Sequence, residues 1–270
     1  MRGRDLTNRL MAALDAAGLS GHQISAADLA PLDQFHTRGL AATVELGRAA
    51  ELKAGDAVIG VGSGLGGPSR YLAATYGCTV QCIDLSQAFV NAASYLAERT
   101  GLVGRVSYMQ GNALALPFAD ASFDVAWSQH VAMNIANRDH LYGEIHRVLR
   151  PGGRFAVYDV VAGSGGAPHF PVPWSRESGN SFLLTPAAMQ AVLERQGFTV
   201  QSWADRTADG VAWVGQQRAA DAQAGASGRP LGLHLAMGED FPRMSANLGR
   251  NLLESRVGLL QAVVVRSPHR

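Results

Sequence analysis

The sequence predicts an α/β fold in which a parallel sheet is covered by helices on both faces, and three observations carry that expectation. Between residues 57 and 160, short apolar runs alternate with stretches of helical periodicity, the order that builds β-α-β units. The runs are rich in Val, Ile and Ala and lack a polar alternation, as strands buried on both faces do. The first run opens into a cluster of five glycines, at positions 60, 62, 64, 66 and 67. Glycines at this density let the chain leave a buried strand, turn sharply and bring its backbone against a ligand.

Taken in order, Leu6, Leu10, Met11, Leu14 and Ala17 space a first amphipathic helix that ends at Gly18. A second helical stretch is expected over residues 27–52, and both precede the first strand as a cover. Strands are expected at 57–61, 79–83, 106–110, 123–127 and 154–160, with helices at 69–76, 87–100 and 139–149 between them. Residues 162–180 are rich in Gly, Ser and Pro but carry Phe170, Trp174 and Arg176, which suits an ordered loop over a site better than a linker. Thr185 then caps a helix with Pro186 at its first position. A strand at 198–203, helices at 208–223 and 241–256 flanking a flexible stretch at 224–229, and a last strand at 259–266 complete the chain.

Length and composition restrict the function classes. With 270 residues, 47% hydrophobic and 17% charged, the chain can bury a full core as one large domain, or one domain with a cap. A net charge of +1 without a basic stripe argues against a nucleic-acid partner. No apolar run reaches the roughly 18 residues that span a bilayer, and MRGRDLTNRLM lacks the apolar core of a secretory leader. A cytoplasmic protein with no membrane partner is expected. Cys78 and Cys82 have no Cys/His companions at metal-binding spacing, so they are read as small buried residues and no metal is expected.

In an open parallel sheet the ligand sits beyond the carboxyl ends of the strands. The glycine loop follows the first strand, and Asp84 and Leu85 follow the second, about 20 residues on, where a carboxylate can accept ribose hydroxyls. Gly111, Asn112 and Ala113 follow the third, and Ser128, Gln129 and His130 the fourth. Four successive strand ends thus offer ligand-facing groups to one crevice. Taken alone, Gly62, Gly64, Gly67 and Asp84 also fit a dinucleotide site, so an NAD-dependent oxidoreductase remains an alternative at this point.

Two further stretches, GNALALPFADASFDVAWS and EIHRVLRPGGRFAVYD, strongly resemble signatures of class I S-adenosylmethionine-dependent methyltransferases and have no role in the oxidoreductase reading. Within that superfamily FHTRGLAAT, VGSGLGGPSR and PVPWSRESGNSFLLTP are similar to the sarcosine/dimethylglycine N-methyltransferase-like small-molecule group. The resemblance spans residues 35–266. It implies a Rossmann-like doubly wound sheet of seven strands with the last antiparallel. It also implies S-adenosyl-L-methionine as cofactor, S-adenosyl-L-homocysteine as product, and a helical cover at 1–52 on a methyltransferase domain at 53–270, with a substrate-side loop at 162–184. By resemblance, Gly62, Ser63 and Gly64 contact the methionine part, Asp84 holds the ribose, and Asn112 and Ala113 the adenine, with Gly66, Leu85 and Ser128 as further cofactor-binding residues. Gln129 lies at the methionine end, and His36 adds a cofactor or substrate contact.

One position departs from the family, which places an acid two residues before the first binding glycine; Gly60 stands there instead. Three readings follow: another acid or carbonyl takes over, the cofactor binds more weakly, or the cofactor serves chemistry other than methyl transfer.

Methyl transfer from a sulfonium needs a nucleophile aligned with an already activated leaving group, and a base only where the nucleophile must lose a proton. His130 is the first candidate for that base, with Tyr158 and Asn134 as further catalytic candidates. Trp174 and Arg176 suit an amino-acid-like amine, the indole face attracting an ammonium and the guanidinium a carboxylate; Asp159 is a further ammonium partner. An amine nitrogen of a small molecule is therefore the favoured acceptor, with an oxygen or carbon of a natural-product intermediate as the alternative. The oligomeric state stays open, a homodimer included.

Overall fold

A computed structural model of the chain describes residues 2–20, 24–224 and 231–267. Three helices, α1 (Arg2–Ala16), α2 (Ala26–Asp33) and α3 (Gly39–Ala49), precede β1 (Ala57–Val61). The chain then alternates through α4 (Gly67–Tyr76), β2 (Thr79–Asp84), α5 (Gln87–Arg99), β3 (Val106–Gln110), β4 (Phe123–Gln129), α6 (Arg138–Val148) and β5 (Leu149–Ala162). It closes with α7 (Pro186–Arg195), β6 (Phe198–Asp205), α8 (Thr207–Ala224), α9 (His234–Met237), α10 (Phe241–Leu253) and β7 (Val257–Arg266). The strands form one seven-stranded sheet in the order β3-β2-β1-β4-β5-β7-β6. Strands β1 to β5 pair in parallel, and β7 runs antiparallel to both β5 and β6.

The inner strands β1, β4 and β7 are largely apolar because both of their faces are buried, whereas the edge strands β3 and β6 carry exposed polar residues. In β1, Val58 enters one core with Val80, Val125 and Tyr158, while Ile59 and Val61 enter the other with Ile83, Phe155 and Leu260. A third cluster joins the N-terminal helices to the domain through Leu10, Leu14, Leu29, Leu32 and Leu96. Strand order reverses between β1 and β4, whose Gly60 and Trp127 are register partners, so the crevice opens where these two strands end.

The helix expected over residues 27–52 is two helices. Between α2 and α3 the side chains of Gln34, His36 and Thr37 turn inward and are buried, and Arg38 takes a left-handed conformation (φ 71°) to cap α3. Tertiary burial of three polar residues outweighs helical periodicity there. Helix α9 was not expected from the sequence, and residues 225–229 of the stretch read as flexible lie outside the described residues. No described helix is long and apolar enough to cross a membrane.

Candidate active site

The glycine loop is shaped by the end of β2. The amides of Gly62 and Ser63 both donate to the Ile83 carbonyl at 3.0 Å, and the Gly64 amide donates to Asp84 Oδ2 at 2.8 Å. Asp84 Oδ1 accepts from the Ser86 amide at 2.9 Å, so one carboxylate ties the loop to the start of α5. Burial raises the Asp84 carboxyl above its ordinary value, against the two amides that lower it. Gly62 has φ 71°, and a Cβ there would lie 2.5 Å from Val131, so this turn requires glycine.

Beyond the loop lies a cavity of about 740 Å³. Twelve of the residues singled out in the sequence line it: His36, Gly62, Ser63, Gly64, Asp84, Leu85, Asn112, Ala113, Gln129, His130, Asn134 and Trp174. Asn112 turns its Oδ1 back to the Leu114 amide (2.9 Å). Gln129 Oε1 accepts from Trp127 Nε1 at 2.9 Å and from Thr43 Oγ1 at 3.2 Å, which leaves Nε2 without a partner. His36 Nε2 lies 2.8 Å from the Gly39 carbonyl and 3.1 Å from Thr43 Oγ1. His130, at φ 54°, donates its amide to the Tyr158 carbonyl at 2.8 Å. Its ring lies 6.0 Å from that of His36 and 5.1 Å from that of Tyr158.

Five residues are not in that wall. Gly66 precedes α4 as its N-cap at φ 78°, and its carbonyl accepts from Ser69 Oγ at 2.8 Å. Ser128 is buried inside β4. Tyr158 is fully buried beneath the two histidines, and burial pushes its phenol up. Asp159 points away, its Oδ1 accepting from the Val160 amide at 3.1 Å and its Oδ2 lying 3.9 Å from Arg138; burial pushes its carboxyl up to about 6. Arg176 is exposed and pairs with Asp240. Two expectations shift with these placements: the Asp159 carboxylate and the Arg176 guanidinium engage the protein, outside the cavity wall. Asn134 lines the cavity, but its Nδ2 donates to the carbonyls of Trp174 (2.7 Å) and Asn180 (3.2 Å).

The structure adds walls that the sequence did not reveal. Phe35 and Thr37 from the α2–α3 break, Met133 after β4, Trp213 of α8, Met237 of α9 and Phe241 and Leu248 of α10 face the same space. The excursion between β6 and β7 is fastened to the loop that follows β5: Asn247 Nδ2 donates to the Pro171 carbonyl (2.9 Å), and Asn251 exchanges two hydrogen bonds with the His169 backbone (2.7 and 3.0 Å). The helical stretches expected at 208–223 and 241–256 were the available signal, but nothing in them says which way the helices fold back.

The wall also carries unpaired polar atoms. Thr37 Oγ1, Ser63 Oγ, Gln129 Nε2 and His130 Nε2 are buried without hydrogen-bond partners and all belong to lining residues. Buried polar groups are normally satisfied, so this set fits a ligand with a polar amino-acid end, as the methionine part of S-adenosylmethionine has. Among the described residues no group of His, Cys, Asp and Glu is placed to hold a metal ion.

Residues 59–157, the segment that contains the loop and the four strand ends, match the family described as a methyltransferase domain. Over these residues the chain carries a methyltransferase domain. This domain is similar to Methyltransferase GfsG of Streptomyces halstedii, 36% identical over 134 residues, which cover 50% of this chain and 48% of that one. It is also 36% identical over 116 residues to a sterol 24-C-methyltransferase of Eremothecium gossypii, covering 43% and 31% of the two chains. The chain therefore spans less than half the length of these curated relatives. Among solved structures, the [4+2]-cyclase SpnF superposes on this chain with a TM-score of 0.65 at 25% identity, over 83% of this chain and 80% of that one.

Proposed function

We propose that the protein transfers a methyl group from S-adenosylmethionine to an uncharged, largely apolar small molecule. One observation carries the choice of substrate. Among the described residues that line the cavity, the only Asp, Glu, Lys or Arg side chains are Asp33 and Asp84, and both lie beside the glycine loop, at Gly67 and Gly64, where the cofactor is placed. Beside neutral polar groups such as Asn134, Asn137 and Ser245, the wall presents the apolar and aromatic side chains of Met133, Trp174, Trp213, Met237, Phe241 and Leu248. An ammonium or carboxylate carried there would lose its hydration without a counter-ion, a cost of several kcal/mol in a dry site. The amine acceptor favoured by the sequence thus gives way to a neutral oxygen or an activated carbon.

In this reading the cofactor supplies an electrophilic methyl group. Asp84 holds ribose hydroxyls while keeping the loop closed through Gly64, and Asn112 and Ala113 flank the adenine. Gln129 offers Nε2, and Thr37 and Ser63 their hydroxyls, to the methionine end. His130, neutral and with Nε2 free, accepts a hydrogen bond from a substrate hydroxyl and orients it. Asn134 acts at one remove, holding the Trp174 stretch of the roof in place.

The test is a screen for S-adenosylhomocysteine release with uncharged alcohols, phenols and isoprenoids against sarcosine and other small amines. Turnover of amines alone would sink the proposed substrate class. The similarity to a cyclase supports a second reading, in which an apolar substrate rearranges beside the bound cofactor. It is separated by the same assay, since substrate would then be consumed without S-adenosylhomocysteine appearing.

A further inference from the structure

Position 60 has no room for the acid that the family places there. A Cβ on Gly60 would lie 2.8 Å from Cys82 Sγ, so a residue of β2 fills the space. Burial pushes the Cys82 thiol up to about 12, and it stays neutral.

Two carboxylates line the cavity among the described residues. Both oxygens of Asp84 already accept backbone amides, at 2.8 and 2.9 Å. Asp33 differs. Its Oδ2 accepts from Arg70 Nη2 at 2.6 Å with both side chains 0% exposed, whereas Oδ1 has no hydrogen-bond partner from any other residue. Asp33 is the last residue of α2, and α2 packs onto the start of α4 so closely that a Cβ on Gly67 would meet both Asp33 Oδ1 and its carbonyl at 2.5 Å. The bare backbone of Gly67 thus brings the free carboxylate oxygen to the end of the glycine loop.

We propose that Asp33 receives the ammonium of the cofactor's methionine part, replacing the acid that position 60 lacks. Arg70 holds the carboxylate in place from behind, itself fixed by the Ala93 carbonyl (3.3 Å) and the Tyr108 hydroxyl (3.4 Å). A fully buried ion pair of this kind contributes little net stability in itself, and its presence beside a ligand cavity is accounted for if the outer oxygen has a ligand to hold. The α2 segment of the helical cover then becomes part of the cofactor site.

The proposal rests on the cofactor reading above, and binding calorimetry separates the two. S-adenosylhomocysteine carries the ammonium; 5′-methylthioadenosine lacks the whole amino-acid end. Asp33→Asn is expected to weaken S-adenosylhomocysteine by about tenfold or more, the loss of one charge-assisted hydrogen bond, and to change methylthioadenosine by less than about twofold. Asp33→Asn leaves Arg70 uncompensated, so Asp33→Asn/Arg70→Met, without a buried charge, serves where the single variant is unfolded, and the same selective loss is expected. Equal weakening of both nucleosides, or none for S-adenosylhomocysteine, overturns the role of Asp33. A wild-type protein that binds the deaminated analogue of S-adenosylhomocysteine as tightly as the parent overturns it without any variant. Failure of the wild type to bind either nucleoside overturns the cofactor reading itself.

Discussion

The imidazoles of His36 and His130 meet edge to face, with ring centroids 6.0 Å apart, one from the break between α2 and α3 and the other at the end of β4. Burial pushes His36 down to about 4. Burial, with the nearby His36, takes His130 well below its ordinary value. Both rings are neutral at physiological pH, and His130 is a hydrogen-bonding group rather than a strong base. In proton NMR neither ring should titrate between about pH 5.5 and 8. A transition near 6.5 assigned to His130 would restore it as a general base.

The same burial makes stability depend on pH. The folded-state pKa of His36 lies below its unfolded value, so its contribution is fully present above about 6.5 and is lost as pH falls toward 4. Wild type should lose stability relative to His36→Gln by about 1.4 kcal/mol per pH unit across that window. Asp33 and Asp159, each raised to about 6 by burial, act in the opposite sense, but they are common to both proteins and cancel in the difference. Urea denaturation of the two proteins at pH 7 and pH 5.5 measures it, and a constant difference would contradict the buried neutral ring.

Asp84→Ala should weaken S-adenosylhomocysteine binding at least tenfold, since the carboxylate both offers acceptors and ties the Gly64 and Ser86 amides together. Calorimetry gives the constant directly. An unchanged value removes Asp84 from the site.

Asn134→Ala should loosen the roof rather than the cofactor site, because Nδ2 holds the Trp174 and Asn180 carbonyls. Faster amide exchange over residues 172–182 is expected, with a loss of about 1 kcal/mol in stability per bond. S-adenosylhomocysteine affinity should stay within about twofold. Unchanged exchange would mean that other contacts hold the loop, such as Arg138 Nη2 to the Phe182 carbonyl at 2.8 Å.

Widening the substrate chamber is a separate matter from the cofactor. Phe241→Ala, at the start of α10, removes a half-buried ring from the wall and should raise KM for an apolar substrate by about tenfold, the loss of roughly 1.4 kcal/mol of apolar contact, with cofactor affinity unchanged. Parallel losses in both would place Phe241 among the supports of the fold.

What the sequence determined by itself was whatever depends on neighbours along the chain. The extents of β1 and β3, the glycine loop, Asp84 about 20 residues beyond Gly64 and the Thr185–Pro186 helix start were legible because strand burial, left-handed turns and caps are set by adjacent residues. A parallel sheet then fixes which strand ends share a crevice, so Asn112, Gln129 and His130 could be placed there without coordinates. Tertiary structure decided the rest. It broke the helix at residues 34–38 to bury Gln34, His36 and Thr37, turned Asp159 inward, and drew Arg176 to Asp240. It also folded α8–α10 over the cavity and set Asp33 against Gly67, across 34 positions of sequence. These are contacts between distant segments, chosen by packing and by the cost of burying charge, and neither leaves a local pattern in the chain.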